Sequence, residues 1–214
     1  MHRYDRPRRL LAYAIAALAG FVDATGYLAA DRYFVSFMSG NTTRLGVDLI
    51  TDSTRAFIPA LLILGFVTAV TIGALLADLA GNYRKTAVIG LATLLIAAGA
   101  LAKAMESASL FMACLLLAMG VLNNAFRRDG EVAIGLTYMT GALVRFGQGL
   151  AGWLRGRART GWVNNLVLWV SLASGAVCGA LAATALPLYS AWLGAILALC
   201  LFLAALWVEK MNPA

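Results

Sequence analysis

Residues 38–46 read Met38-Ser39-Gly40-Asn41-Thr42-Thr43-Arg44-Leu45-Gly46, a polar stretch inside a very apolar chain. The pattern returns 101 residues later as Met139-Thr140-Gly141-Ala142-Leu143-Val144-Arg145-Phe146-Gly147. Both copies place methionine, a hydroxyl residue and glycine before an arginine and a second glycine. The repetition predicts a single transmembrane domain, residues 1–214, made of two related halves at about 1–105 and 106–214.

The composition is that of an integral membrane protein. Of the 214 residues, 62% are hydrophobic and 13% are charged, whereas a soluble domain carries about 25% charged residues. About 20 apolar residues cross a bilayer as a helix. Runs of that length predict an all-α protein with spans at about 10–30, 56–80, 86–103, 108–126, 162–186 and 188–208.

The basic residues give a net charge of +7. They lie between the apolar runs, which indicates a lipid bilayer as the partner and argues against nucleic acid. The one histidine is His2, and the three cysteines lack ligand spacing, so neither a cofactor nor a metal site is expected. The chain also lacks the GxSxG, Walker and GxGxxG patterns, so no catalytic residues and no enzyme activity are expected.

The two motif segments, at about 34–52 and 132–154, either cross the membrane or dip in and return. With a cytoplasmic N-terminus and returning segments, twelve basic residues lie inside and three outside, leaving aside the motif arginines. With crossing segments the division is ten to five. Cytoplasmic loops are enriched in Lys and Arg, which favours six full spans plus two short re-entrant helices. Three spans per half would make the repeats inverted; eight spans with parallel repeats is the alternative.

The span after each motif carries small residues at every fourth position. Residues four apart share a helix face, so these ladders allow two backbones to approach closely. The approach is expected either within one subunit or between subunits of a homo-oligomer. The ladders are Gly65, Ala69, Gly73, Ala77 and Gly81 in the first half, and Ser171, Gly175, Gly179 and Ala183 in the second.

Several short motifs are shared with a known family. Gly20-Phe21-Val22-Asp23-Ala24, Phe34, Met38-Ser39-Gly40-Asn41-Thr42 and Leu45-Gly46 resemble the signature of the YoaK-like family of bacterial multi-span membrane proteins. The resemblance covers essentially the whole chain. It implies a location in the bacterial inner membrane and no particular substrate, because the family has no settled function.

Asp23 lies about 14 residues into the first predicted span. A carboxylate at the centre of a bilayer costs about 2.5–3.5 kcal/mol on insertion scales, so Asp23 is expected to face the bundle interior and to have a partner. One interpretation is a coupling site that accepts a proton or binds a cation. The other is a fixed ion pair with Arg44. In the second half the corresponding residue is Asn123.

Ser39 and Thr140 are predicted as N-caps of helices that begin at Gly40 and Gly141. A helix N-terminus inside a membrane suits an anion or a polar ligand, and an arginine fork suits a carboxylate or phosphate. Alternatively, each arginine reaches an interface or caps a neighbouring helix. The predicted ligand-binding or coupling residues are Asp23, Ser39, Gly40, Asn41, Thr42, Thr43, Arg44, Asn123, Asn124, Thr140, Gly141, Arg145 and Gln148.

These patterns predict a membrane transporter or channel for a small polar or anionic molecule. The two motif helices would meet near the midplane, and protonation of Asp23 would release Arg44 to bind the solute. A non-transporting scaffold or assembly protein, with the motif as a helix-packing lock, is the first alternative. A membrane enzyme acting on lipid is the second, with Asp23 as its one candidate residue.

Overall fold

The computed structural model describes residues 6–128, 131–132, 139–157 and 161–211. Over these residues the chain is helical apart from its loops and one antiparallel pair of two-residue strands, β1 (Arg127–Arg128) and β2 (Glu131–Val132). The helices are α1 (Arg6–Ala29), α2 (Met38–Thr51), α3 (Phe57–Ala80), α4 (Arg84–Ala104), α5 (Ala108–Leu122), α6 (Met139–Leu154), α7 (Val163–Ala185) and α8 (Ser190–Met211). The predicted all-α class is confirmed.

Within the described residues, four segments have the length and apolar composition of a membrane span: Arg6–Ala29, Phe57–Ala104, Val163–Ala185 and Ser190–Met211. The second of these contains both α3 and α4, which pack against each other around a 3-10 turn at Gly81–Tyr83. The turn begins at a glycine with a φ of +53°, a conformation that favours glycine. Helix α5 is apolar and shorter, with 15 residues and a length of about 22 Å. The six predicted spans coincide in sequence with α1, α3, α4, α5, α7 and α8.

Helix α1 packs along α7 at backbone contact distance. A Cβ added at Gly175 would lie 1.9 Å from the carbonyl oxygen of Ala17, and one added at Gly179 would lie 2.4 Å from that of Phe21. The residue numbers rise together on the two helices, so α1 and α7 run parallel. The glycines of the second ladder therefore pack against another helix of the same subunit, which is the first of the two arrangements expected for the ladders.

Helices α3 and α5 form a similar parallel pair. A Cβ at Gly120 would lie 2.9 Å from the carbonyl oxygen of Phe66, and one at Gly73 would lie 3.0 Å from that of Val121. Part of the first ladder thus also serves packing inside the subunit.

Helices α4 and α8 run antiparallel. At one end the backbone N–H of Lys85 donates to Glu209 at 3.1 Å. At the other end the Lys103 ammonium donates to the Ser190 hydroxyl at 2.8 Å. The beginning of each helix therefore lies beside the end of the other.

The most buried residues belong to α1, α4 and α5, which form the centre of the bundle. Helix α2 packs on α3, and α6 packs on α7, both at the periphery. Each of these two motif helices buries one residue, Asn41 in α2 and Ala142 in α6. Each motif helix thus lies on the outside of the bundle, packed against the helix that follows it in the sequence.

Candidate functional site

The loop 30–37 turns back along α1 after that helix ends. The backbone N–H groups of Val35 and Ser36 donate to Asp23 Oδ1 at 3.0 and 2.9 Å. Asp23 lies six residues before the end of α1, about 9 Å along the helix axis. The loop therefore returns to the level of Asp23 before α2 begins.

Asn41 holds the same loop from the side of α2. This residue is fully buried, with 0% of its surface exposed. Its amide donates to the Phe34 carbonyl at 2.8 Å and accepts from the Phe34 N–H at 3.2 Å. The backbone N–H and the backbone carbonyl of Phe34 are thereby both hydrogen-bonded to the Asn41 side chain. The motif asparagine acts on the protein's own backbone.

Arg44 closes the turn at the end of α1. Its Nη1 atom donates to the carbonyl oxygens of Asp31 and Arg32 at 3.0 and 2.9 Å. Its guanidinium carbon lies 3.8 Å from the centre of the Tyr33 ring, in cation–π contact. Asp31 and Arg32 have φ values of +44° and +61°. Arg44 thus stabilises a turn whose backbone is unfavourable for non-glycine residues.

Between Asp23 and Arg44, both of them described residues, the predicted ion pair does not form. Asp23 accepts from loop N–H groups, and Arg44 donates to loop carbonyl oxygens. Both side chains are therefore hydrogen-bonded to the backbone of loop 30–37, Asp23 to its N–H groups and Arg44 to its carbonyl oxygens. Release of Arg44 by protonation of Asp23 has no basis in this geometry.

The predicted N-caps are also wrong. Helix α2 begins at Met38 and α6 at Met139, so Ser39 and Thr140 lie inside their first turns. Phe37 takes the N-cap position of α2, and among the described residues it supplies no side-chain cap. Because the helices begin two residues earlier than predicted, the hydroxyls lie two residues past the position from which they could cap them.

The two motif glycines differ in their surroundings. A Cβ at Gly40 would lie 2.5 Å from the Phe37 ring, whereas at Gly141 the nearest atom would be Arg145 Nη2 at 3.7 Å. A side chain at position 40 would therefore overlap the Phe37 ring, whereas position 141 has room for one. The Thr42 and Thr43 hydroxyls donate to carbonyl oxygens one turn earlier in α2, at 2.8 and 3.1 Å.

A cavity of about 430 Å³ lies between the beginnings of the two motif helices. The middle of α3 forms its third side. The residues that line it come from the loop and α2 (Ser36, Phe37, Met38 and Ser39), from α3 (Ile63, Phe66 and Val67) and from α6 (Met139, Thr140 and Gly141). The fold thus brings the Met-Ser/Thr start of both motif copies to one cavity.

Of the predicted site residues, Ser39, Thr140 and Gly141 line this cavity. Asn124 instead joins α5 to α3 by donating to the Val70 carbonyl at 3.0 Å. The amide of Asn123 donates to Met119 O at 2.9 Å. The remaining second-half residues, Arg145 and Gln148, are exposed on α6. Neither motif arginine, Arg44 or Arg145, is among the described residues that line this cavity.

A buried ionic cluster around Glu209 was not predicted from the sequence. Glu209, 5% exposed, accepts from the backbone N–H groups of Lys85 and Thr86 at 3.1 and 3.2 Å and from the Thr86 hydroxyl. The Lys85 ammonium lies 3.8 Å from the same carboxylate. Glu209 therefore caps the N-terminus of α4 from another helix. The one available signal was an acidic residue near the end of an apolar span.

Metal binding has no obvious site in the described part of the chain. Over residues 6–128, 131–132, 139–157 and 161–211, no three His, Cys, Asp or Glu side chains lie close enough together to hold an ion.

The apolar helices and their packing define an integral membrane protein. A family model described as "protein of unknown function", DUF1275, matches residues 11–204, and the chain belongs to this family. It is 35% identical over 201 residues to a UPF0700 transmembrane protein of Rhizobium meliloti, covering 94% of this chain and 87% of that protein. The resemblance to the YoaK-like family is compatible with both matches. No solved structure matches the chain.

Proposed function

We propose that the protein is a transporter or channel of the bacterial inner membrane, with the cavity between α2 and α6 as its solute-binding site. The observation that carries this proposal is that both motif helices begin at one cavity beside the middle of α3. Solute sites near the midplane, formed by broken helices of two repeats, are a recurrent plan of transporters. We propose no enzymatic activity and no cofactor.

The proposed topology has six spans, two half-helices and a cytoplasmic N-terminus. Its support is the antiparallel pair α4 and α8. If α2 and α6 crossed the membrane, residues 84–85 and 209 would lie on opposite faces. The hydrogen bonds from Lys85 and Thr86 to Glu209 place these residues side by side, which argues against eight spans. Because α4 and α8 are the last helices of the two halves, their opposite directions favour inverted repeats.

A second line of support for two repeats comes from matched helix contacts. Gly20 of α1 approaches Leu172 O and Ala176 N of α7. Its counterpart Gly120 of α5 approaches Phe66 O and Val70 N of α3. Aligning the two ladders places residues 66 and 70 on 172 and 176, so equivalent backbone atoms meet in the two helix pairs, each of which joins the first half to the second.

In this proposal the first-half polar cluster positions the cavity wall. Asp23 holds the backbone of Ser36, which lines the cavity. Asn41 and Arg44 hold the loop that leads to it. These side chains are positioning residues, and solute contact belongs to the cavity lining itself.

A scaffold or assembly protein is the second candidate. One observation favours it: the polar groups of Asp23, Asn41 and Arg44 bind the protein's own loop, as expected of a packing lock. The two candidates differ in what the cavity does, because a scaffold has no need of a cavity that exchanges solute with water.

The test is a stopped-flow swelling assay on proteoliposomes with a panel of small neutral and anionic solutes. Val67 lines the cavity, and Val67→Trp should fill it and abolish solute entry. Leu64→Trp is the matched control, since Leu64 is exposed on the same helix and lies outside the cavity lining. Entry no faster than in protein-free liposomes for every solute, or equal entry in Val67→Trp, would contradict the proposal.

A further inference from the structure

The cavity lining has a distinct chemistry. Among the described residues that line it, none carries a charge, and most of the surface comes from aromatic, thioether and aliphatic side chains. The polar side chains are three hydroxyls, those of Ser36, Ser39 and Thr140. Such a lining can donate a few hydrogen bonds, but it offers no opposite charge to an ion.

Two charged groups near the cavity, Asp23 and Arg44, are already bound to the loop. The Asp23 carboxylate accepts from two backbone N–H groups, and the Arg44 guanidinium is bound to two carbonyl oxygens and stacked on Tyr33. A third, Arg145, has its Nη2 atom 3.7 Å from the Cβ position of Gly141, but its side chain is exposed on α6 and is not part of the lining. Among the described residues of the lining itself, an ion would meet no opposite charge to offset the hydration it gives up.

The helix N-terminus of α2 offers less to an anion than the sequence predicts. The N–H of Met38 donates to Ser36 O at 3.2 Å, and the N–H of Gly40 donates to Phe37 O at 3.1 Å. The N–H of Asn41 also donates to Phe37 O, at 3.3 Å. The Asn41 bond is the first regular bond of the helix, so two of the donors that normally bind anions at a helix start, those of Met38 and Gly40, are used by the preceding turn.

We propose that the cavity binds an uncharged, largely apolar molecule that carries one hydrogen-bonding end, such as an aromatic amide or alcohol. The Phe37 and Phe66 rings and the Met38 and Met139 thioethers provide an adaptable apolar surface. A dry cavity of about 150 Å³ holds benzene, so a cavity nearly three times larger accommodates roughly 17 non-hydrogen atoms. This inference rests on the proposed solute site and replaces the small polar or anionic molecule predicted from the sequence by a neutral, largely apolar one.

The test compares two probes of the same shape, indole-3-carboxamide and indole-3-carboxylate, by titration calorimetry of the full-length protein in nanodiscs. We expect the carboxamide to bind at least about tenfold more tightly than the carboxylate, a difference of about 1.4 kcal/mol. Val67→Trp should abolish carboxamide binding, Leu64→Trp should leave it unchanged, and Thr140→Val should weaken it several-fold.

Two other arms identify competing ligands. Inorganic phosphate tests for an anion site, and native mass spectrometry tests for a phospholipid whose acyl chain fills the cavity. The inference is overturned if the carboxylate or phosphate binds as tightly as the carboxamide. It is also overturned if the wild-type protein carries a phospholipid that Val67→Trp loses and that the carboxamide does not displace. Anion binding that Val67→Trp abolishes would overturn the neutral-ligand inference while leaving the solute site intact. Binding of none of the probes would contradict the inference, and the swelling assay would then decide the proposed function separately.

Discussion

Replacement of Asp23 separates a positioning role from a coupling role. Asp23→Asn keeps an acceptor oxygen for the Val35 and Ser36 N–H groups but removes the charge. A hydrogen bond to a charged group contributes about 1.5–3 kcal/mol, and one between neutral groups about 0.5–1.5 kcal/mol. With two such bonds, Asp23→Asn should cost about 2 kcal/mol of unfolding free energy.

Asp23→Ala removes the acceptor altogether. Val35 and Ser36 are 0% and 8% exposed, so their N–H groups would be left buried without a partner. Each such group costs about 1–3 kcal/mol, which gives about 4 kcal/mol for the pair. The structure therefore predicts a graded series, with the alanine variant about twice as destabilised as the asparagine variant.

The assay is thermal unfolding of the purified protein followed by intrinsic fluorescence. For a chain of this length about 2–4 °C of Tm is lost per kcal/mol, so the expected decreases are about 4–8 °C for asparagine and about 8–16 °C for alanine. Asp52→Asn, at an exposed carboxylate outside the helices, is the control and should leave the unfolding temperature nearly unchanged. Wild-type stability of Asp23→Asn together with lost solute entry would refute the positioning role and restore the coupling role.

Two further substitutions test the packing of the bundle. Glu209→Gln should destabilise the protein by about 3 kcal/mol, because it leaves the Lys85 ammonium without its buried carboxylate. Lys210→Gln is the control, at an exposed neighbouring residue, and should have little effect. Equal unfolding temperatures of the two variants would show that the Glu209 cluster does not stabilise the bundle. Gly175→Ala should cost about 1–3 kcal/mol, since its methyl group would overlap a backbone carbonyl of α1. Gly147→Ala, where nothing lies within 4 Å of the added carbon, should be neutral or slightly stabilising, and a similar loss in both variants would show that backbone contact is not the cause.

The positions of the long apolar helices were predictable from the sequence because long apolar runs permit few structures other than helices that suit a membrane. The small-residue ladders indicated close helix packing, although not which helices meet. That choice depends on distant residues: Gly175 meets Ala17 across most of the chain. The four-residue spacing fixes a helix face but carries no information about its partner.

The candidate site was predicted only in part. Ser39, Thr140 and Gly141 do line one cavity, as the repeated motif suggested. Asp23 and Arg44 were expected to bind each other or a ligand. A charged residue in an apolar chain requires a partner, but its type does not identify which partner it has. Their partners are backbone groups of loop 30–37, whose conformation includes left-handed residues that the sequence does not mark.

Water access to the cavity tests the central claim most directly. Ser39→Cys and Thr140→Cys, each in a cysteine-free background, would be exposed to a membrane-impermeant thiol reagent in vesicles of both orientations. The solute-site proposal predicts that both cysteines react from at least one aqueous side and that Val67→Trp slows the reaction. Leu64→Cys, at an exposed apolar position of α3, should stay unlabelled. If the cysteines at 39 and 140 behave like the one at 64, the cavity is closed to water and the transporter proposal is contradicted.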